Sequence, residues 1–247
     1  MIISRRTSTD LDGDRRLGLR LALASIAVAL MMVPFTLLLV VAKMPLNDLD
    51  SGVARALHAY ARANPDVTEA MILWTDVFGP WPWRVAVAVL AGWLVHRGAP
   101  RLALWAITTI TVGGLLGLGL KILVDRSRPH LPDPVALAPG DAFPSGHALT
   151  VTLGAGVIVL ALLPALPQWG RKLAWTVAGF LIVTVSFTRV ALAVHWVSDV
   201  LGGIVLGAAV IIATTAAFET WRRDEGRRPA APPRDGVEPE SVQVTRD

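Results

Sequence analysis

The stretch TRVALAVHWVSD, residues 188–199, sets an arginine, a histidine and an aspartate inside a run that is otherwise almost wholly apolar. Charged groups within a membrane cost about 2.5–3.5 kcal/mol each on insertion scales, so such residues indicate a functional site by default. Arg189, His195 and Asp199 are therefore candidate site residues. A histidine beside an aspartate can also be a purely structural hydrogen-bonded pair. Polar groups elsewhere in the chain decide between these two interpretations.

The composition of the whole chain indicates an integral membrane protein. Of 247 residues, 53% are hydrophobic and only 17% are charged, which is too apolar for an ordinary soluble domain. The formal net charge of +4 does not indicate a nucleic-acid partner, because the basic residues cluster between apolar runs without an interleaved aromatic or finger pattern. The chain has no cysteine, which excludes disulfides and thiolate metal sites.

Apolar runs predict an all-α, polytopic membrane protein with about six transmembrane helices. The first run, Leu17–Ala42, is too long to be the core of a cleaved signal peptide. Further spans are expected near residues 82–95, 102–124 and 146–163. The next apolar stretch, of about 50 residues, is too long to cross a bilayer once and must fold back in the Arg189–His195 region. Five prolines exclude a continuous helix from the loop 125–144.

A short helical segment is predicted between the first and second spans. It begins near Asn47 or Asp48 and ends at Ala63, and its apolar residues recur on one face, as in a helix lying on the membrane surface. His58 is expected on its polar face. The domain organisation is then a segment 1–16, a six-helix membrane domain 17–222, and a tail 223–247 that is rich in proline and charge and is expected to be disordered.

The distribution of basic residues predicts the orientation. With six spans, the basic residues of the short loops fall on one side, which the positive-inside rule assigns to the cytoplasm together with both termini; they are Arg5, Arg6, Arg15, Arg16, Arg97, Arg101, Arg171, Lys172, Arg222 and Arg223. The net acidic segment 43–79 falls on the extracytoplasmic side. Tryptophans are expected to form two interfacial belts, the outer of Trp74, Trp81, Trp83 and Trp196 and the inner of Trp93, Trp105, Trp169, Trp175 and Trp221.

Three separated polar stretches fall at the same outer surface in this topology. The first is KILVDRSRP, residues 121–129, in which Lys121, Asp125 and Arg128 are spaced to share one helical face until Pro129 ends the helix. The second is FPSGH, residues 143–147, where a Pro-Ser-Gly turn opens a helix and presents free backbone N–H groups to an anion.

The third stretch contains Arg189, His195 and Asp199. His195 and Asp199 are one turn apart, so the carboxylate can bond one ring nitrogen and leave the other as a nucleophile. Cationic side chains with backbone N–H groups match the oxygens of a phosphoryl group. With two histidines, one can attack phosphorus while the other supplies a proton to the leaving oxygen and then activates water. No metal or other cofactor is expected, because the acidic residues of the loop lack ligand spacing.

Together these motifs resemble the signature of the type 2 phosphatidic acid phosphatase superfamily in its membrane-embedded, six-helix form. Lys-x6-Arg-Pro occurs at 121–129, Pro-Ser-Gly-His at 144–147 and Arg-x5-His-x3-Asp at 189–199. The resemblance implies that Lys121, Arg128 and Arg189 hold the phosphate with help from Ser145 and the Gly146 amide. It also implies that His147 is the general acid, His195 the nucleophile and Asp199 its orienting partner. Thr188 departs from the serine that is usual in the family at this position.

The resulting hypothesis is a metal-independent phosphatase that acts on a lipid phosphate or diphosphate at the outer face of the cytoplasmic membrane through a phosphohistidine. The family implies phosphatidic acid, phosphatidylglycerol phosphate or undecaprenyl diphosphate as substrate classes, and the sequence selects none of them. Two enzymatic alternatives are a lipid phosphotransferase and a phosphatase for soluble esters. A lipid transporter is the non-enzymatic alternative, although it predicts charges throughout the bilayer depth instead of at one edge.

Overall fold

The computed structural model describes residues 15–24, 26–28 and 44–242. Within these ranges the chain is helical and contains no β-strand. The helices are α1 (residues 15–24 and 26–28), α2 (Met44–Ala63), α3 (Pro65–Val77), α4 (Pro80–His96), α5 (Pro100–Val124), α6 (Gly146–Leu162), α7 (Gln168–Ala191), α8 (Val197–Asp224), α9 (Pro232–Asp235) and α10 (Pro239–Val242). A 3-10 turn, Leu163–Ala165, extends α6.

Four of the described helices are long and apolar enough to cross a membrane: α5, α6 with its 3-10 extension, α7 and α8. Helix α4 covers the predicted second span but has only 17 residues. The predicted first span, Leu17–Ala42, lies mostly outside the described residues. The described part of the chain is therefore all-helical, with helices of the length and composition of membrane spans, and the count of six spans stays a prediction.

Helix α6 is the centre of the bundle. Its apolar residues show no preferred face, and 78% of its most apolar window is buried inside the protein, compared with 28% for α5 and 33% for α7. A helix that is hydrophobic all round suits a position surrounded by other helices. Helices α4, α5, α7 and α8 all pack against it, so the residues at its N-terminus lie at the middle of one end of the bundle.

Glycines allow close contact between α6 and its neighbours. A Cβ atom at Gly203 of α8 would lie 2.7 Å from the Ser145 carbonyl oxygen, and one at Gly113 or Gly117 of α5 would lie 2.4 or 2.5 Å from a leucine of α6. The sequence predicts helix packing for Gly113, Gly114, Gly117 and Gly119. This is confirmed for Gly113 and Gly117, whereas Gly114 and Gly119 have nothing within 4 Å of a built Cβ.

The long apolar stretch folds back where expected. Helix α7 ends at Ala191 and α8 begins at Val197. Ala193 has a left-handed φ of 54°, and the N–H groups of Val194 and His195 both bond to the Arg189 carbonyl at 3.2 Å. The turn thus places His195 beside the last turn of α7. Its compact hydrogen bonding explains why neither glycine nor proline is needed.

The end of α5 differs from the prediction. The helix stops at Val124, and Asp125 has a left-handed φ of 45°. Residues 125–145 are not helical, so Asp125 and Arg128 do not continue the helical face of Lys121. Arg128 reaches the site from the loop instead, where its side chain is held by backbone carbonyls.

Three residues differ from the prediction in their burial. His58 is only 6% exposed, because its Nε2 donates a hydrogen bond to the Pro132 carbonyl at 2.8 Å; it is not a polar-face residue. Trp105 and Trp221 are fully buried, so they do not belong to an interfacial belt. Trp81 and Trp169, at 73% and 70% exposed, retain side chains that can reach an interface.

The tail also differs from the predicted disorder. Residues 223–224 complete α8, and residues 225–242 fold back over the end of the bundle opposite to Gly146. Val237 is 1% exposed and its N–H bonds to the Leu160 carbonyl at 3.3 Å. The buried Arg222 donates to both carboxylate oxygens of Glu240 at 3.0 and 2.7 Å. A bidentate ion pair and a buried valine provide the contacts that the composition alone does not reveal.

Candidate active site

The three polar stretches meet at one end of the bundle. The Ser145 N–H bonds to the Asp199 carbonyl at 2.9 Å, which joins the start of α6 to the start of α8. From the loop, Arg128 Nη1 donates to the Val194 carbonyl at 2.6 Å and approaches His195 Nε2 at 3.1 Å. The structure therefore brings together residues that are far apart in the sequence. The most distant two, Lys121 and Asp199, are separated by 78 positions.

His195 is a buried imidazole with two different neighbours. Its side chain is 3% exposed, and Nδ1 lies 3.4 Å from Asp199 Oδ2 without the geometry of a hydrogen bond. Because a guanidinium group can only donate hydrogen bonds, the contact with Arg128 requires a lone pair on His195 Nε2. In the neutral ring the proton is then on Nδ1 and faces Asp199, and Nε2 carries the lone pair.

Burial keeps this imidazole neutral. It lowers the pKa of His195 from 6.5 to about 4, although contact with Asp199 opposes the shift. The positive charges of Arg128 and Arg189 act in the same direction as burial. At neutral pH the ring therefore carries the free lone pair that an attacking nitrogen needs.

Asp199 is fully buried and satisfied on both oxygens. Oδ2 accepts a hydrogen bond from the Trp196 backbone N–H at 2.8 Å, and Oδ1 accepts one from Arg126 at 2.6 Å. The first bond caps the start of α8, where negative charge is favoured. The carboxylate is thus fixed with one oxygen toward His195, as expected for an orienting partner.

Three further cations surround the histidine. Lys121 donates to the Asp141 carbonyl, and Arg189 donates to Thr75 Oγ1 of α3 at 3.3 Å. Arg128 donates to the carbonyls of Pro139 and Gly140 at 2.9 and 2.8 Å. Lys121 and Arg189 each interact electrostatically with Arg128. The three positive charges repel one another in this partly buried site. An anion bound between them would offset that repulsion and be attracted by all three.

The start of α6 supplies the other predicted groups. Ser145 is fully buried, and its Oγ has no hydrogen-bond partner in the described part of the protein. Gly146 is the first residue of α6, where backbone N–H groups lack partners within the helix. Such an unpartnered hydroxyl beside a helix N-terminus suits an anionic ligand better than a closed core.

His147 follows in the first turn and is half-buried. It interacts electrostatically with His195, Lys121, Arg128 and Arg189. A Cβ atom built on Gly79, between α3 and α4, would lie 3.5 Å from His147 Nε2. The two imidazoles and three cations therefore share one site.

Cavities flank the site on two sides. One of about 240 Å³ lies beside Arg128, His130 and the turn residue Val194, and is also lined by His58. Another of about 150 Å³ lies beside Lys121 and Gly146, with Arg84 at its edge. His130 is exposed in the loop. The Thr188 hydroxyl bonds to the Val185 carbonyl at 2.7 Å within its own helix.

Two residues at the site were not predicted from the sequence. Arg126 bonds to Asp199, and Asp50 of α2 bonds to Arg126 at 2.8 Å. A sequence signal exists for Arg126, which lies two positions before Arg128 in the same motif. Asp50 gives no such signal, because its contact with Ser198 joins residues 148 positions apart.

A metal centre has no support in the described part of the chain. No group of three or more histidine, cysteine, aspartate or glutamate side chains is arranged there to hold a metal ion. The metal independence of the reaction stays a prediction for solution experiments.

The sequence model of the PAP2 superfamily matches residues 102–223, a range that contains the three motifs. The resemblance seen in the motifs is thereby confirmed.

Two curated relatives match part of the chain. A phosphatidylglycerophosphatase B from Bacillus subtilis (strain 168) is 38% identical over 111 residues, which are 44% of this chain and 54% of that protein. An undecaprenyl-diphosphatase from Sulfolobus acidocaldarius is 30% identical over 129 residues, which are 50% of this chain and 59% of that protein. The chain thus spans between half and two thirds of the length of these relatives.

One solved structure has the same fold. It is the crystal structure of a transmembrane PAP2 type phosphatidylglycerolphosphate phosphatase from Bacillus subtilis, with a TM-score of 0.69 and 24% sequence identity. The match covers 82% of this chain and 98% of the other. The helical arrangement described above is therefore similar to the fold of that structure.

Proposed function

We propose that this chain, whose residues 102–223 match the PAP2 superfamily, is a phosphatase for lipid phosphates or diphosphates. The observation that carries the proposal is the convergence of His147, His195 and three cations around the start of α6. Charge stabilisation and positioning make up most of the catalysis in phosphoryl transfer. The names of both curated relatives support a lipid-linked substrate, either phosphatidylglycerol phosphate or undecaprenyl diphosphate.

The reaction proceeds in two displacements. Lys121, Arg128, Arg189, Ser145 and the Gly146 N–H bind the oxygens of the phosphoryl group. His195 Nε2 attacks phosphorus while protonated His147 gives its proton to the leaving oxygen, which departs as the lipid alcohol or lipid phosphate. Neutral His147 then takes a proton from water, which attacks the phosphohistidine and releases inorganic phosphate and free His195. Asp199 keeps the His195 Nδ1–H oriented throughout.

The site is placed at the outer face of the cytoplasmic membrane. This placement rests on the predicted six spans and on the basic residues at the opposite end of the bundle, such as Arg97, Arg101 and Arg171. A lipid can then present its phosphate to the site while its chain stays in the bilayer. A single cysteine in place of Leu137, which is 87% exposed in the loop, tests the placement with an impermeant thiol reagent.

The proposal is tested by release of inorganic phosphate from detergent-solubilised protein. The substrates are phosphatidic acid, phosphatidylglycerol phosphate, undecaprenyl diphosphate and a soluble ester, glycerol phosphate. We expect His195→Ala and His147→Ala to abolish release while both proteins stay folded, and His96→Ala, which removes an exposed histidine of α4, to retain activity. Full activity in either site variant would contradict the mechanism.

Two further measurements separate this mechanism from its alternatives. Activity is expected to persist in EDTA and to be inhibited by vanadate, whereas a strict magnesium requirement would require a different chemistry. Labelled phosphate trapped on residue 195 as an acid-labile, base-stable adduct would identify the nucleophile. Transfer of that label to a lipid alcohol in preference to water would indicate the phosphotransferase instead.

A further inference from the structure

Asp50, Arg126 and the first turn of α8 form one hydrogen-bonded network beside the site. Arg126 Nη2 lies 2.8 Å from Asp50 Oδ2, and its Nη1 lies 2.6 Å from Asp199 Oδ1. Asp50 also accepts hydrogen bonds from the Ser198 N–H at 3.0 Å and from the Ser198 hydroxyl at 2.5 Å. One guanidinium group therefore joins two carboxylates from different helices, α2 and α8.

Arg126 differs from the cations assigned to phosphate. Its Nη1 also donates to Ser198 Oγ at 2.6 Å, and its guanidinium carbon lies 5.7 Å from the centre of the Trp196 ring. Trp196 is itself fixed by a bond from Nε1 to the Ser127 carbonyl at 2.9 Å. Both terminal nitrogens of Arg126 are therefore directed at protein groups, and its guanidinium carbon lies over an aromatic ring.

This geometry controls the orientation of Asp199. Arg126 binds Oδ1, so the other oxygen, Oδ2, stays turned toward His195 Nδ1 at 3.4 Å. Asp50 and Asp199 have side chains that are 2% and 0% exposed. The Arg126 guanidinium lies between these two buried carboxylates and bonds to one oxygen of each. Asp50 in turn holds Arg126 and the first turn of α8.

We propose that Asp50 and Arg126 are positioning residues for the reaction. They hold the Asp199 carboxylate, and through it the Nδ1–H tautomer of His195, in the orientation that leaves Nε2 free to attack. The expected effect on kcat rests on the proposed function. The expected effect on the His195 tautomer rests on the geometry alone. Because Asp50 lies outside residues 102–223, helix α2 completes a site that the family region does not contain by itself.

The kinetic test uses Arg126→Gln, Arg126→Lys and Asp50→Asn in the full-length, detergent-solubilised protein. A displacement of about 1 Å in a reacting group can cost about 100-fold, so we expect kcat for phosphate release to fall by about that factor in Arg126→Gln. KM is expected to stay within about twofold, because no phosphate ligand is removed. Arg126→Lys keeps the charge and should recover part of kcat, and Asp50→Asn should lose less than Arg126→Gln.

The matched control is Arg62→Gln. Arg62 also joins α2 to the loop through an ion pair with Asp133 at 2.9 Å, but the two side chains are 50% and 73% exposed. Like Arg126→Gln, this variant breaks an ion pair between an arginine and an aspartate that join α2 to the loop. The broken pair is exposed and does not include Asp50 or Asp199. Its kcat is expected to equal that of the wild type. Equal losses in Arg62→Gln and Arg126→Gln would show a general effect of detaching the loop and would overturn the proposal.

The tautomer of His195 provides a readout that does not depend on the substrate. In ¹⁵N spectra of histidine-labelled protein, assigned with His195→Gln, we expect the Nδ1–H form in the wild type and in Arg62→Gln. A mixture of tautomers is expected in Arg126→Gln. If that variant keeps both the wild-type tautomer and wild-type kcat, the positioning role is wrong. Failure of the proposed function is a separate outcome, because it would appear as undiminished activity in His195→Ala.

Discussion

At the scale of single residues, the state of the site depends on which His195 nitrogen carries the proton. The donor-only guanidinium of Arg128 fixes a lone pair on Nε2, and Asp199 faces Nδ1. Displacement of Arg128 from Nε2 by the phosphoryl group would leave the guanidinium close to the oxygens that gain charge. In the proposed mechanism, this contact between Arg128 and His195 holds the Nε2 lone pair in place until the phosphoryl group binds.

The buried imidazole predicts how stability depends on pH. Its folded-state pKa of about 4 is below the ordinary value of 6.5, so the unfolded chain binds this proton more readily. The stabilisation from a neutral His195 is present above pH 6.5 and is lost as the pH falls toward 4. Between pH 7 and pH 5 this corresponds to about 2 kcal/mol.

The measurement is thermal unfolding in detergent at pH 7 and pH 5. We expect the wild-type melting temperature to fall more steeply with acidification than that of His195→Gln, which cannot take up the proton. The nearby charges of Arg128, Arg189 and Asp199 remain in both proteins and cancel in the comparison. Parallel pH dependence in the two proteins would show that His195 is not held neutral by burial.

The residues of the site were predictable to the extent that their chemistry is local. His195 and Asp199 lie four positions apart, and the Pro-Ser-Gly turn marks the start of α6 within a few residues. Asp50 was not predictable, because nothing near it in the sequence indicates a partner 76 positions away at Arg126. Contacts of that kind depend on how whole helices pack.

At the scale of helices, lengths follow from apolar runs, but ends depend on local contacts. The spans predicted at 102–124 and 146–163 agree with α5 and α6 within a few residues. The shared helical face of Lys121, Asp125 and Arg128 was predicted wrongly, because the spacing of these charged residues continues in register while the backbone turns left-handed at Asp125. The spacing of side chains along the sequence does not predict that Asp125 adopts a left-handed φ.

The close contact of α6 with α8 requires glycine at position 203. In Gly203→Ala the new methyl group would lie 2.7 Å from the Ser145 carbonyl oxygen and 3.0 Å from the Leu149 backbone nitrogen. Because both are backbone atoms, the helices must separate, and overpacking of this kind costs about 1–3 kcal/mol. We expect a lower melting temperature together with reduced phosphate release, since Ser145 and Gly146 move with α6.

Gly119→Ala is the control for this effect. A Cβ atom at Gly119 has nothing within 4 Å, and alanine is preferred over glycine in a helix by up to about 1 kcal/mol. This variant is expected to be as stable as the wild type or slightly more stable, with unchanged activity. An unaltered melting temperature in Gly203→Ala would mean that α6 and α8 are farther apart than described.

At the scale of the whole molecule, the candidate site and the packed tail lie at opposite ends of the bundle. The end with the turn 192–196 contains the site, and the opposite end is covered by residues 225–242. There Trp175 Nε1 donates to the Pro233 carbonyl at 3.1 Å, and Arg227 pairs with Glu238 at 2.7 Å. Burial raises the pKa of Glu238, although Arg227 opposes the shift. Interhelical contacts at this end can stabilise the bundle without touching the chemistry.

This separation predicts that stability and activity can be changed independently. Val237→Asp places a carboxylate at a position that is 1% exposed, beside the Leu160 carbonyl. The neighbouring Arg222 already donates to both carboxylate oxygens of Glu240. The new buried carboxylate therefore competes for a paired cation, which is unfavourable, and the tail would detach to hydrate it. The melting temperature should then fall, while kcat for phosphate release, measured below the unfolding transition, stays at the wild-type value.

Ala231→Asp, which adds the same charge at an exposed position of the same segment, should change neither quantity. A loss of kcat in Val237→Asp at a temperature where the protein is folded would instead show that the packed tail acts on the site through α6 or α8, because both helices run from the tail to the histidines.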